Sequence, residues 1–135
     1  MKPYIHKVQY YETDRMGITH HSNYIRFMEE ARTDFLEQIG WSYKKLEDAG
    51  AASPVTAIEC RFRAPTTYSD IISIEVGIEA FTGARLVIGY TMRNEAGAVV
   101  CEASSEHCFV SGGRPIRLRK EFPEFAAVLD SLKDN

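Results

Sequence analysis

The sequence predicts an α+β fold in which one long helix precedes a run of antiparallel strands. Two observations predict it. Apolar residues recur at helical spacing between Tyr24 and Ile39, whereas from residue 53 onward they alternate with polar residues as in half-buried strands. Because the strand segments are separated by short turns, the segregated pattern favours hairpins that pack one sheet face on the helix. Pairing two copies edge to edge would cover the edges of such a sheet.

The first fifty residues hold a strand, an irregular segment and two helices. Residues 4–12 are rich in Tyr, Ile and Val and predict a strand, and residues 13–21 are irregular. The helix that follows spans about five turns and ends near Gly40. Residues 42–49 predict a shorter helix. The apolar face of the long helix comprises Tyr24, Phe27, Met28, Ala31, Phe35 and Ile39, and its polar face comprises Arg26, Glu29, Glu30, Arg32, Thr33, Asp34 and Glu37.

The rest of the chain predicts a meander of strands and a final helix. The Pro65 ring ends the first of these strands, and the segment 94–97 is a hairpin turn. The predicted strands are 56–63, 72–80, 86–93, 98–110 and a short edge strand 115–119, and the predicted last helix is 122–132.

Composition bounds the kind of protein. The 135 residues predict a single domain, 1–135, and the net charge of −3 argues against nucleic acid as the main partner. The three cysteines are odd in number and lack C-x-x-C spacing, so neither a disulfide framework nor a zinc site is expected. This cysteine usage predicts a reducing compartment. Neither a signal-peptide run nor an 18-residue apolar stretch occurs, so a cytoplasmic protein is expected.

The segment 12–23 is the candidate site because it concentrates polar chemistry just ahead of a helix. It contains the carboxylates Glu12 and Asp14 and the adjacent imidazoles His20 and His21. A helix start offers unpaired N–H groups that stabilise an oxyanion, and a carboxylate beside it can act as nucleophile or general base. The alternative is structural, since Asp ahead of Gly17 is typical of turns, and Ser or Asn ahead of a helix is a common cap.

Other candidate sites are less specific. The adjacent imidazoles lack a third ligand at metal spacing, so no metal site is predicted. No G-x-S-x-G elbow or Gly-rich phosphate loop occurs. His107 alternates with apolar neighbours and is interpreted as a core histidine. The basic run 114–120 is either a solvated edge or a contact for a phosphorylated ligand or another subunit.

These motifs resemble the hydroxybenzoyl-CoA thioesterase family, and most of all its Tol–Pal-associated acyl-CoA thioesterases. The resemblance covers the whole chain in the expected order. It rests on the following motifs: Tyr10-x-x-Thr13-Asp14-x-x-Gly17-x-x-x-His21-x-Asn23-Tyr24, then Phe27-x-Glu29-Glu30-Ala31-Arg32, Ser53-Pro54, Phe62-x-x-Pro65 and Asp70. The resemblance implies a hot-dog fold, in which a curved antiparallel sheet of about five strands wraps a long central helix. It also implies an acyl-CoA thioesterase that needs no cofactor and forms a homo-oligomer, at least a dimer and by expectation a tetramer, with sites between subunits.

The resemblance also implies roles for individual residues. Asp14, within the Asp-x-x-Gly17 motif, is the catalytic carboxylate, acting as nucleophile or general base. The backbone amide of His21 polarises the thioester carbonyl, and its side chain orients substrate or water. Tyr10 lines the acyl pocket, and Arg85 contacts the nucleotide end of CoA. Further substrate-binding candidates are Asn23, Tyr24, Ser53, Pro54, Arg61 and Arg63.

Several alternatives stay open at this point. Many relatives have Asp where this chain has Glu12, whose longer side chain either enters the pocket or faces away. Hot-dog dehydratases and hydratases carry a His with a Pro-Gly segment or Asp-x-Asn-Pro-x-His, and neither occurs here. A non-catalytic protein that binds acyl-CoA or acyl carrier protein is the other alternative. The sequence does not determine the acyl group or the choice between CoA and acyl carrier protein.

Overall fold

The computed structural model describes residues 1–133; the last two positions of the predicted domain 1–135 lie outside the described residues. The strands are β1 Tyr4–Lys7, β2 Ala51–Ala52, β3 Val55–Phe62, β4 Ile71–Phe81, β5 Leu86–Arg93, β6 Val99–His107, β7 Val110–Ser111 and β8 Arg114–Pro115. The helices are α1 Ser22–Gln38, α2 Tyr43–Asp48, α3 Leu118–Glu121 and α4 Pro123–Leu132. A 3-10 turn, Tyr10–Glu12, follows β1.

Within residues 1–133 the strands form a five-stranded sheet, ordered β1-β4-β5-β6-β3, and a three-stranded sheet, ordered β2-β7-β8. Strand β1 pairs antiparallel with β4, with Tyr4 opposite Ile74 and Lys7 opposite Ile71. The predicted α+β class and the antiparallel sheet of five strands are therefore confirmed. No helix in this part of the chain is both long and apolar enough to cross a bilayer.

The chain divides into two compact units. The first comprises Met1–Phe35, Cys60–Val76 and Tyr90–Ala103, and the second comprises Leu36–Glu59, Gly77–Gly89 and the described residues from Ser104 onward. The buried apolar side chains of the first unit are Val8, Tyr24, Phe27, Met28, Ala31, Phe35, Ile72, Ile74, Tyr90, Met92, Val100, Cys101 and Ala103. Those of the second unit are Leu36, Leu46, Ala51, Ile78, Phe81, Leu86, Ile88, Phe109, Leu118, Phe125, Ala126 and Leu129.

The helix pattern predicts the buried face of α1 well but misplaces one charged residue. All of the predicted face through Phe35 is buried, whereas Ile39 lies beyond the last helical residue. Arg32, predicted on the polar face, is buried, and its Nη1 donates to the Tyr90 hydroxyl at 3.0 Å. The hydrogen bond offsets part of the cost of burying this guanidinium, because a buried charge needs a partner.

The ends of several predicted strands are wrong. The strand predicted over residues 4–12 ends at Lys7, because the Glu12 carboxylate accepts a hydrogen bond from the Gln9 amide and closes the 3-10 turn. The strand predicted over 98–110 ends at His107. The edge strand predicted over 115–119 is the two-residue β8, and Leu118 already begins α3. Strand β2 escaped prediction because two alanines carry no alternating pattern.

Candidate active site

Asp14 lies in a tight turn that joins the 3-10 turn Tyr10–Glu12 to the start of α1. Its amide donates to the carbonyl of Ile18 at 2.8 Å, and its own carbonyl accepts from the amide of Gly17 at 3.0 Å. The Met16 amide donates to Asp14 Oδ1 at 2.8 Å, which holds the carboxylate in one orientation. Gly17 has φ +80°, a conformation that glycine adopts without strain. The turn therefore presents a half-exposed, oriented carboxylate.

The start of α1 lies beside this turn. The His20 amide donates to the Glu12 carbonyl at 2.8 Å, and the Ser22 amide donates to His20 Nδ1 at 3.2 Å. Within residues 1–133 the amide of His21, between them, has no acceptor. The His20 and His21 rings stack with centroids 4.2 Å apart. An N–H group at a helix start that has no acceptor among the described residues is suited to hold a developing negative charge.

A cavity of about 440 Å³ opens between the Asp14 turn, the start of α1 and the end of β3. Its lining consists of Asp14, Met16, Ile18, Thr19, His21, Tyr24, Phe62, Arg63, Ala64 and Pro65. Four predicted site residues thus share one cavity: Asp14, His21, Tyr24 and Arg63. The Phe62 ring meets Tyr24 edge-on at 5.2 Å between centroids and His21 at 6.4 Å. The wall is therefore mainly apolar and the carboxylate is its acidic group.

Glu12 faces away from Asp14. It is buried, and its Oε1 lies 2.8 Å from His6 Nε2 and accepts from the Gln9 amide at 2.7 Å. His6 Nδ1 lies 3.7 Å from Glu30 Oε1, which accepts from the Tyr4 hydroxyl at 3.0 Å. Of the two readings of Glu12, the structure supports the one in which its side chain lies outside the cavity.

Three buried hydroxyls meet at the cavity wall, where Thr19 and Tyr24 line the cavity and Thr66 does not. The Thr19 and Thr66 Oγ1 atoms are 2.6 Å apart, and the Tyr24 hydroxyl lies 2.9 Å from Thr66 Oγ1. Burial raises the pKa of Tyr24, so its hydroxyl stays protonated at neutral pH. Sequence reasoning missed Thr66, because no local spacing relates it to Thr19, 47 positions earlier.

Two predicted substrate-binding residues of the motif lie outside the cavity lining. Asn23 is buried, and its Nδ2 donates to the carbonyls of Glu12 at 2.9 Å and His20 at 3.3 Å, which ties the turn to the helix. Tyr10 is 77% exposed and meets Tyr68 edge-on at 5.6 Å. Contact of either residue with substrate stays a prediction, and the observed contacts give Asn23 a structural role.

Four more predicted contact residues do not line the cavity. Ser53 and Pro54 lie between β2 and β3, and Arg61 is exposed on β3; none of the three lines the cavity. Arg85 precedes β5 and forms an ion pair with Glu106, which holds the pKa of that carboxyl below its usual range.

Arg63 lies on the cavity wall and is also paired. Its Nε and Nη2 donate to Glu102 Oε2 at 3.0 and 2.8 Å. An anionic ligand at this wall would compete with the exposed Glu102 carboxylate for the Arg63 guanidinium.

Two other candidate nucleophiles, Cys101 and Ser105, are buried. A hydrogen bond with Cys60 and burial raise the pKa of the Cys101 thiol far above its usual range, which disfavours the reactive thiolate. Ser105 and His107 are both buried, 2.7 Å apart, and the prediction of a core histidine is confirmed. No group of three candidate metal ligands occurs in the described part of the chain.

Comparison with known proteins identifies the family. Residues 8–129 match the model of the thioesterase-like superfamily. The chain belongs to this superfamily. It is 35% identical over 129 residues to a Bacillus subtilis protein provisionally named acyl-CoA thioesterase YneP, with 94% of each chain covered. It is 27% identical to the 1,4-dihydroxy-2-naphthoyl-CoA hydrolase of Thermosynechococcus vestitus, over 92% of this chain and 84% of that one.

A solved structure extends the likeness to the backbone. The DHNA-CoA thioesterase from Staphylococcus aureus matches with a TM-score of 0.92 at 29% identity, covering 96% of this chain and 89% of that chain. Membership of the thioesterase-like superfamily confirms the predicted hot-dog family and its enzyme class. The narrower Tol–Pal-associated subgroup stays a prediction.

Proposed function

We propose that this member of the thioesterase-like superfamily hydrolyses acyl-CoA thioesters, with Asp14 as the catalytic carboxylate. The observation that carries the proposal is the shared cavity, which an oriented carboxylate and the start of helix α1 line together. The named hydrolases among its relatives act on CoA thioesters, which supports the same bond as the target here.

The proposed chemistry uses two groups on opposite sides of a thioester carbonyl. The His21 N–H donates to the carbonyl oxygen as it gains negative charge. Asp14 either attacks the carbonyl carbon, giving a mixed anhydride and CoA thiolate, or removes a proton from an attacking water. Both routes consume one water and give a carboxylic acid and CoA thiol. The Met16 amide on Oδ1 supports either route because it fixes the carboxylate before substrate arrives.

The acyl group would lie against the apolar wall formed by Phe62, Tyr24, Ile18 and Met16, with the His21 side chain orienting substrate or water. Arg63 and, less directly, Arg61 and Arg85 are the proposed cations for the CoA phosphates. The dihydroxynaphthoyl-CoA hydrolase among the relatives makes aromatic acyl groups worth testing beside aliphatic ones. Thioesters of acyl carrier protein are the alternative substrate.

We also propose that the active form is a homo-oligomer, a dimer or a tetramer. Strand β3 lies at one edge of the five-stranded sheet, and its large apolar side chains are exposed: Val55, Ile58 and Phe62. An exposed apolar edge strand favours pairing with another chain. Phe62 also lines the cavity, so a second copy on β3 would reach the site. Sedimentation should give a dimer or tetramer, and a monomer would contradict this proposal.

Replacement of Asp14 by Asn tests the function. We expect Asp14→Asn to lower kcat at least ~10²-fold across a panel of short, long and aromatic acyl-CoAs and acyl carrier protein thioesters. The matched control is Asp48→Asn, because Asp48 pairs with Lys44 on the exposed surface of α2 and should keep wild-type turnover. Near wild-type turnover in folded Asp14→Asn would overturn the assignment. Binding of CoA without cleavage by the wild type would favour the non-catalytic alternative.

A further inference from the structure

The hydroxyl cluster at the cavity wall joins three separate segments of the first unit. Thr19 ends the Asp14 turn, Tyr24 belongs to the first turns of α1, and Thr66 follows β3. The three side chains are 5%, 4% and 2% exposed, so water is largely excluded from their polar atoms. Buried hydroxyls are costly unless each is hydrogen-bonded, so this arrangement strongly favours one relative placement of the three segments.

One distribution of the three hydroxyl protons satisfies every contact. Thr19 donates to the backbone carbonyl of Thr66 at 3.3 Å. The 2.6 Å contact between the two threonine hydroxyls then uses the Thr66 proton, and the 2.9 Å contact uses the Tyr24 proton. Thr66 is the centre of the cluster, because its hydroxyl donates to Thr19 while it accepts from Tyr24.

The backbone beside Thr66 holds the same turn. The Thr19 amide donates to the Thr66 carbonyl at 2.8 Å, and the Thr67 hydroxyl donates to the Gly17 carbonyl at 2.6 Å. Gly17 and Ile18 are in turn the backbone partners of Asp14. The segment after β3 therefore supports the catalytic turn, while Tyr24 links the same segment to the helix whose start carries the His21 amide.

We infer that Thr66 is a positioning residue, whose hydroxyl fixes the Asp14 turn relative to the start of α1. The inference rests on the proposed function of Asp14. Thr66 does not line the cavity, so it acts through Thr19 and Tyr24 and not on substrate. Attack on a carbonyl held by the His21 amide needs the carboxylate within a narrow range of positions, and a displacement of about 1 Å can cost ~10²-fold in rate.

Removal of the hydroxyl alone separates positioning from packing. Thr66→Val keeps the branched shape, and we expect kcat to fall about 10-fold or more while KM changes less than about 3-fold. Thr66→Ser keeps the hydroxyl and loses the methyl group, and it should return kcat to within about 3-fold of wild type. The matched control is Ser131→Ala on α4, where an exposed hydroxyl donates to the Val128 carbonyl at 2.6 Å and turnover should be unchanged.

The contradicting results are specific. Wild-type kcat in Thr66→Val would overturn the inference, and so would failure of Thr66→Ser to restore a lowered kcat, since the methyl group would then matter more than the hydroxyl. If Asp14→Asn keeps its activity while Thr66→Val loses it, the proposed function of Asp14 fails. If Asp14→Asn loses activity while Thr66→Val keeps it, only the positioning role of Thr66 fails.

Amide hydrogen exchange tests the positioning without any substrate. The amides of Asp14 and Gly17 are hydrogen-bonded inside the turn, so loosening the turn exposes them. We expect both to exchange about 10-fold faster in Thr66→Val than in wild type, with Thr66→Ser close to wild type. Unchanged exchange in Thr66→Val would contradict a role of its hydroxyl in holding the turn, whatever the enzyme hydrolyses.

Discussion

Glu12 and Asp14, two carboxylates separated by one residue, have opposite environments. Glu12 is buried, and its Oε1 accepts a hydrogen bond from the Gln9 amide and lies 2.8 Å from His6 Nε2. Asp14 is half-exposed and borders a cavity that can take a substrate. The 3-10 turn causes the difference, because it ends the strand before Glu12 and turns the two side chains to different sides. Proximity in sequence therefore says little about which carboxylate does chemistry.

The largest expected difference in stability follows from this contrast. Glu12→Ala would leave the Gln9 amide and His6 without their acceptor, and we expect it to lower the free energy of unfolding by roughly 2–4 kcal/mol. Asp14→Ala should change it by less than about 1 kcal/mol, because only one exposed hydrogen bond is lost. Urea unfolding of both variants measures this. Equal losses of unfolding free energy in the two variants would show that Glu12 is no more important to stability than Asp14.

A smaller effect, on the preference for acyl length, is expected from Phe62 in the cavity wall. Phe62→Ala removes an aromatic wall that lies edge-on to Tyr24, and the enlarged cavity should favour longer acyl groups. The ratio of kcat/KM for long over short acyl-CoAs should rise about 10-fold, the usual size of such a change in an apolar pocket. Phe62→Leu, which keeps most of the volume, should shift the ratio less. An unchanged ratio in Phe62→Ala would remove this residue from the acyl site.

The smallest expected effect is a change in the pH dependence of stability, and it concerns Tyr4. Burial and the hydrogen bond to Glu30 raise the pKa of Tyr4 from 10.0 to about 12. The unfolded chain ionises this group first, so the stability it contributes is complete below pH 10 and is lost as pH rises toward 12. Unfolding free energies measured from pH 9 to 12 should fall less steeply in Tyr4→Phe than in wild type. Identical slopes would show that Tyr4 does not resist ionisation in the fold.

The sequence predicted those parts of the fold that depend on local periodicity. Strand β5 shows why, since Leu86, Ile88, Tyr90 and Met92 alternate in sequence and are all buried. Strand β3 alternates in the same way, yet both of its faces are largely exposed in a single copy. Alternation predicts a strand but does not say which other element covers it, and at a sheet edge that element can belong to another chain.

The candidate site was predictable only as far as its motif reached. Asp14 and His21 were found because they lie close together in sequence ahead of a helix, and Tyr24 because it belongs to the same motif. The roles of Glu12 and Thr66 depend on contacts with His6 and with residues more than forty positions away, and these require the folded chain. Ser53, Pro54 and Arg85 do not line the cavity, because a match to a sequence motif does not by itself place a residue at the site.

The most direct test of the central claim compares the same substitution at both carboxylates. Asp14→Asn and Glu12→Gln each replace a carboxylate oxygen by an amide nitrogen with little change in shape, and Gln keeps an oxygen for the Gln9 amide. We predict that kcat for acyl-CoA hydrolysis falls at least ~10²-fold in Asp14→Asn and stays within about 3-fold of wild type in Glu12→Gln. A larger loss in Glu12→Gln than in Asp14→Asn would contradict the assignment of Asp14 as the catalytic carboxylate.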